Sequence, residues 1–207
     1  ASRKGVSSMS MSINDNIDLS AVRYVALCAR NGNDTFQKMS IDGSTGDFTV
    51  ISREHHEIHE GSAFRYFDSV TLNSSDTIVY LITTPNTTKW SHMTLVIDGT
   101  AITSFDIYEG SDKTGTDIQT VFNANRNSTT SATTTVHKNV SGGTTDGTLF
   151  MKYASGTASN QSRGSSSAEF NSEWILKQNT KYLIRITSGT IGNLCNIMLN
   201  WYEHTNH

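Results

Sequence analysis

The patterning of this sequence predicts an all-β protein, an antiparallel β-sandwich or jelly roll with long polar loops and an N-terminal arm. Three observations carry that expectation. From Ala21 onward the chain is built of short runs rich in β-branched and aromatic residues, each bounded by Gly, Asn, Asp or Ser. Apolar residues recur every second position in the clearest of these runs, and no window shows the 3.6-residue period of an amphipathic helix. Proline occurs once, at Pro85, so little interrupts strand pairing.

In chain order, residues 1–20 are rich in Ser, Met and Asn without periodicity and read as an arm that orders only against something else. Residues 21–207 then read as a single sandwich domain. Val22 to Leu27, Phe48 to Ile51, Phe64 to Phe67, Thr77 to Thr83 and His92 to Ile97 are of strand length. Asp98-Gly99 follows the last of these and fits a two-residue type I′ turn, with Thr100 to Tyr108 returning as the hairpin partner. In Lys181 to Thr187, Tyr182, Ile184 and Ile186 share one face. In Leu194 to Glu203, Cys195, Ile197, Leu199 and Trp201 alternate with Asn196, Met198, Asn200 and Tyr202, the signature of a half-buried closing strand. Roughly eight to ten such strands without a helical crossover imply antiparallel pairing. Asn123 to Thr135 and Ala154 to Ser167 consist largely of Asn, Ser, Thr, Gly and Ala and read as long surface loops, free to lie against a neighbouring subunit.

Composition excludes several functions. Sixteen Lys and Arg against nineteen Asp and Glu give a net charge of -3, without the basic field that free DNA or RNA requires. No apolar run approaches the length of a membrane span, the longest being Ile78 to Ile82, so a protein acting without a membrane is expected; Ala1 opens without an apolar leader, and one already removed would leave no trace. Charged residues make up only 17% of the chain, which leaves a neutral-polar surface suited to an extracellular or virion protein. Cys28 and Cys195 allow at most one internal disulfide and are expected to be reduced and buried.

Chemistry-bearing residues concentrate in Arg53 to Glu60. His55 and His59 have the spacing of a zincin motif, but position 56 is His where that motif requires Glu. An extended segment would instead put His55, Glu57 and His59 on one face in steps of about 6 to 7 Å. His55, His56 and His59 are therefore the metal-ligand candidates, set against a structural role in a loop or subunit interface, which is the expectation adopted. No Gly-x-Ser-x-Gly elbow, phosphate loop or positioned carboxylate pair such as Asp106 with Glu109 is legible, so neither catalysis nor a cofactor is expected. Among the aromatics, Trp201 belongs to the core face, whereas Trp90, at a loop-to-strand junction, is the candidate for sugar stacking. Triplets such as Asn86-Thr87-Thr88 follow from composition and do not establish glycosylation.

The succession Glu54-His55-His56-Glu57-Ile58-His59-Glu60-Gly61-Ser62-Ala63-Phe64, then Thr84 to Met93, Leu176 to Thr187 and the terminal Asn200-Trp201-Tyr202-Glu203-His204, resembles structural proteins of tailed double-stranded-DNA bacteriophages over about residues 40–204. The resemblance implies a decoration or cement protein on the outside of the phage head. Its partner would be the major capsid protein, and no catalytic residues come with it. Binding a repeating lattice favours a homo-oligomer, with a trimer preferred. The competing expectation is a tail or head-fibre module that recognises a host carbohydrate through its loops and Trp90.

Overall fold

The computed structural model describes residues 28–30, 36–38, 44, 52–156 and 166–205. Residues 1–50 form one compact unit and residues 51–207 another. In the first, β1 (Cys28–Arg30) and β2 (Phe36–Lys38) pair antiparallel, with Cys28 opposite Lys38. The expected arm over 1–20 and the strands expected over 22–27 and 48–51 lie outside the described residues.

The second unit begins with α1 (Arg53–Glu60), where no helix was expected. Eight residues with Ile58 as the single apolar side chain offer no hydrophobic period to detect. The helix is defined at its ends instead. Ser52 is extended and its hydroxyl accepts the His55 N–H at 3.3 Å, while Gly61 takes the left-handed conformation at φ 76°. The N–H groups of Gly61 and Ser62 return to the carbonyls of Ile58 and Glu57 at 3.1 and 3.0 Å.

Eleven strands follow: β3 (Ala63–Leu72), β4 (Thr77–Thr83), β5 (Lys89–Gly99), β6 (Thr103–Glu109), β7 (Thr114–Ile118), β8 (Phe122–Asn123), β9 (Thr135–Ser141), β10 (Thr148–Ser155), β11 (Ser166–Ile175), β12 (Lys181–Ser188) and β13 (Asn193–Thr205). They form a six-stranded sheet in the order β10-β6-β12-β4-β9-β7 and a five-stranded sheet in the order β11-β5-β13-β3-β8. Every pairing is antiparallel. The β3–β4, β5–β6, β10–β11 and β12–β13 ribbons each contribute one strand to each sheet. Their lateral order is the same in both, β11-β5-β13-β3 facing β10-β6-β12-β4. All-β architecture with two packed antiparallel sheets is thus as the alternation predicts.

The hairpin expected at Asp98-Gly99 does not form. Both residues end β5 as paired members of the five-stranded sheet, opposite Asn196 and Cys195, and the chain then crosses to the other sheet before β6. Gly99 is required by crowding, because a side chain there would collide with that of Thr103. Asn193 fixes the crossing. Its Oδ1 accepts the Ala101 N–H at 2.9 Å, and its Nδ2 donates to Ile102 O at 3.0 Å and to Thr103 Oγ1 at 2.9 Å.

The core lies between the sheets and follows the alternation of β12 and β13. Cys195, Ile197, Leu199 and Trp201 face Tyr182, Ile184 and Ile186, joined by Phe64, Tyr66, Tyr80, Met93, Leu95, Ile97, Phe105 and Ile107. Leu81 and Leu183, on the opposite faces of their strands, are buried as well. Cys195 is a free thiol within this core, and burial raises its pKa. Asp68 also points inward. Burial would raise its carboxyl, but hydrogen bonds from Lys138 and from Tyr80 Oη at 2.6 Å outweigh that cost and hold it below the ordinary value.

Much of the segment expected to be a free polar loop, Asn123 to Thr135, is fastened. The buried Glu203 carboxylate accepts the N–H of Thr133 at 3.0 Å, the N–H of Thr134 at 2.8 Å, the Thr133 hydroxyl, and Trp201 Nε1–H at 3.1 Å. Asn123 Nδ2 holds the other end, donating to Gly61 O at 2.7 Å and Thr130 O at 3.0 Å. In the second polar segment, β10 and β11 extend to Ser155 and from Ser166, and residues 157–165 lie outside the described residues. No helix among the described residues is long and apolar enough to cross a membrane.

Candidate functional site

Strand register places the outward side chains of the five-stranded sheet in rows. Because side chains alternate along each strand, residues directly opposite across β5, β13 and β3 share a face. One row is His92–Tyr202–Ala63, the next Thr94–Asn200–Arg65 extended by Phe122 of β8, and the next Val96–Met198–Phe67. α1 stands beside this face. Its Glu54 and Ile58, with Ala124, complete an open groove of about 310 Å³ whose lining includes Arg65, His92, Thr94, Val96, Met198, Asn200 and Tyr202.

At one end of the groove the rings of His92, Tyr202 and His204 stack. The centroids of His92 lie 4.7 Å from Tyr202 and 4.5 Å from His204. Glu173, from β11, ties the stack together, taking His92 Nδ1 at 2.7 Å on one oxygen and Tyr202 Oη–H at 2.8 Å on the other. Burial alone would raise the Glu173 carboxyl, but these bonds hold it below the ordinary carboxylate value. Tyr202 is pushed the other way, first by burial and then by the adjacent carboxylate. The His92 side chain is 3% exposed and its Nε2 has no hydrogen-bond partner.

A carboxylate behind a histidine is the orienting half of a nucleophilic site. The other half, a hydroxyl or thiol hydrogen-bonded to Nε2, is lacking among the described residues. What the face can do as it stands is bind: it combines apolar floor, an amide, a hydroxyl and a guanidinium. Arg65 is exposed on the sheet, and among the described residues its guanidinium has no ion-pair or hydrogen-bond partner.

The predicted metal candidates sit on α1 in a different arrangement from the one expected. A helix turns about 100° per residue, so His55, Glu57 and His59 do not share a face. His55 and His59 pair with each other instead, rings stacked at 4.7 Å and Nε2 atoms 2.8 Å apart. His56 meets Glu60 at 3.3 Å. The donor atoms of His56, Glu57 and Glu60 lie within 4.8 Å of one another, but the Glu57 carboxylate is buried and already accepts the Ser62 hydroxyl. The three candidate histidines are therefore divided between two surfaces of the helix. Trp90 is half-buried at the start of β5, opposite His204, and does not line the groove.

Arg65, His92, Glu173, Asn200, Tyr202 and His204 were not singled out from the sequence as site residues. For Asn200 and Tyr202 a signal was present, since alternation along β13 puts them on the face opposite Trp201. For Glu173 none was, because its meeting with His92 depends on the pairing of β11 with β5 and on the register shift between Phe170 and Trp174.

A second open surface lies where both sheets end. β10 and β11 are the outermost strands on the same side of the sandwich; Phe150 is 45% exposed there, with Leu149 (47%) on the outer face of one sheet and Ile175 (50%) on the outer face of the other. Phe150 crosses from one sheet edge to meet Trp174 of the other, ring edge to face at 5.1 Å. No family model, curated protein or solved structure matches this chain.

Proposed function

We propose that the chain is a virion structural protein of a tailed double-stranded-DNA bacteriophage, a decoration protein that binds the major capsid protein on the outer head surface as a homo-oligomer, with a trimer preferred. The observation that carries this reading is the apolar open side of the sandwich. Phe150 and Tyr153 are exposed on β10, at the side where β11 ends the other sheet, and Leu149 and Ile175 flank this edge on the outer faces of the two sheets; among the described residues no further strand lies beside either edge. A free monomer gains nothing from such a surface and risks edge-to-edge aggregation, whereas a lattice-binding protein uses it as its contact. The order β11-β5-β13-β3 over β10-β6-β12-β4, wound as four ribbons, supports reading the sandwich as a jelly roll, an architecture common in virion proteins. The resemblance of the motifs between Glu54 and His204 points to the same class. Linked contacts from several subunits would then stabilise the shell even where each is weak.

Co-sedimentation of the full chain with mature shells lacking it tests this. Saturable binding is expected, with Leu149→Asp weakening it at least about tenfold while circular dichroism stays unchanged, since a charge buried at a contact costs more than 1.4 kcal/mol. Absence of binding by the folded chain would refute the reading.

A further inference from the structure

We infer that the groove between α1 and the outer face of the five-stranded sheet is a binding site for a carboxylate-bearing sugar. The groove lies on the outer face of the five-stranded sheet and the proposed shell contact at the β10–β11 edges; the two adjoin at β11, where Glu173 lines the groove and Ile175 lies opposite His92. Two features of the groove carry it, with the charge of Arg65, unpaired among the described residues.

First, Thr94, Asn200 and Arg65 form one cross-strand row, so a hydroxyl, an amide and a guanidinium line up at the strand spacing of about 4.8 Å. That spacing suits the hydroxyls and the carboxylate distributed around one pyranose ring. Second, the neighbouring row supplies Val96 and Met198, an apolar floor for the C–H face of the ring.

Charge selects the acidic member of the class. Arg65 is a fork of donors without an anionic partner among the described residues, and a planar carboxylate fills it bidentately. Of the acidic groups near it, Glu173 is turned to His92 and Tyr202, which leaves Glu54 on the α1 side to accept a ligand hydroxyl.

Ligand-observed and amide-detected NMR titration of the full chain tests the assignment, with D-glucuronate as probe and D-glucose and propionate as controls. D-Glucuronate is expected to bind saturably, at least about tenfold more tightly than either control, and to shift the amides around Thr94 and Asn200. Arg65→Ala is expected to abolish the preference over glucose while the remaining amide spectrum stays in place, and Arg65→Lys to restore part of it. Equal binding of glucose would refute the role of Arg65, and equal binding of propionate would refute recognition of the sugar ring. Undetectable glucuronate binding, or an unchanged preference in Arg65→Ala, would refute the site.

Discussion

Replacing Glu203 by alanine removes the acceptor that fastens residues 133 and 134 to the end of β13. The carboxylate is 3% exposed and takes three N–H groups and one hydroxyl. After truncation the Thr133, Thr134 and Trp201 N–H groups lose their partner in a buried place. Leaving a buried donor unsatisfied costs about 1 to 3 kcal/mol, and water entering the space relieves part of the sum, so a loss of about 3 to 5 kcal/mol is expected. For a unit of this size that corresponds to a Tm lower by roughly 6 to 20 °C. Glu203→Gln keeps one acceptor oxygen and should lose about 1 to 2 kcal/mol. Urea unfolding measures both, and hydrogen exchange should show the amides of Thr133 and Thr134 losing protection before the core strands do. A Glu203→Ala protein within about 1 kcal/mol of wild type would refute the claim that this carboxylate holds the segment.

Acid should destabilise the fold in a defined window. Asp68, Glu109, Asp112 and Glu173 are all held below their ordinary values, Glu109 chiefly by Lys177 and Asp112 down to about 2 by the backbone N–H groups of Thr144 and Thr145. A depressed carboxylate contributes its stability above the unfolded value and loses it as pH falls through the folded one. Urea midpoints should therefore be flat near neutrality and decline from about pH 4.5 toward 2, with Asp112→Asn removing the lowest part of that decline. Gly61→Ala should cost about 1 to 3 kcal/mol, because φ is 76° and the new methyl meets Ser128 Cβ at 2.9 Å; thermal melts would detect the loss. Cys195 should resist alkylation in the native protein and react only after unfolding, read by peptide mass mapping.

The sandwich was legible because its two central strands announce themselves. β12 and β13 alternate cleanly, and the residues on their apolar faces are those that fill the core. The Asp98-Gly99 reading failed because local turn chemistry does not reveal which sheet the next strand joins. Asn193, some 95 positions away, holds that crossing, and its side chain carries no sequence signal of the task. α1 was missed because its stability rests on Ser52 and Gly61 at its ends rather than on an apolar stripe. The histidine cluster was visible as composition, yet its geometry turned on helix against strand, and that choice separates His55 from Glu57. The groove was hidden for a third reason. Thr94, Asn200 and Arg65 are unremarkable polar residues on three strands, and only register puts them in a row.

Electron cryomicroscopy of shells saturated with the full chain tests the decoration reading most directly. The expected map shows the two-sheet sandwich at a fixed copy number per capsomer, with the β10 edge around Phe150 and Tyr153 against the major capsid protein and the Arg65 groove left open. Shells without added density after incubation with folded protein, or density docked through the Arg65 face, would contradict it.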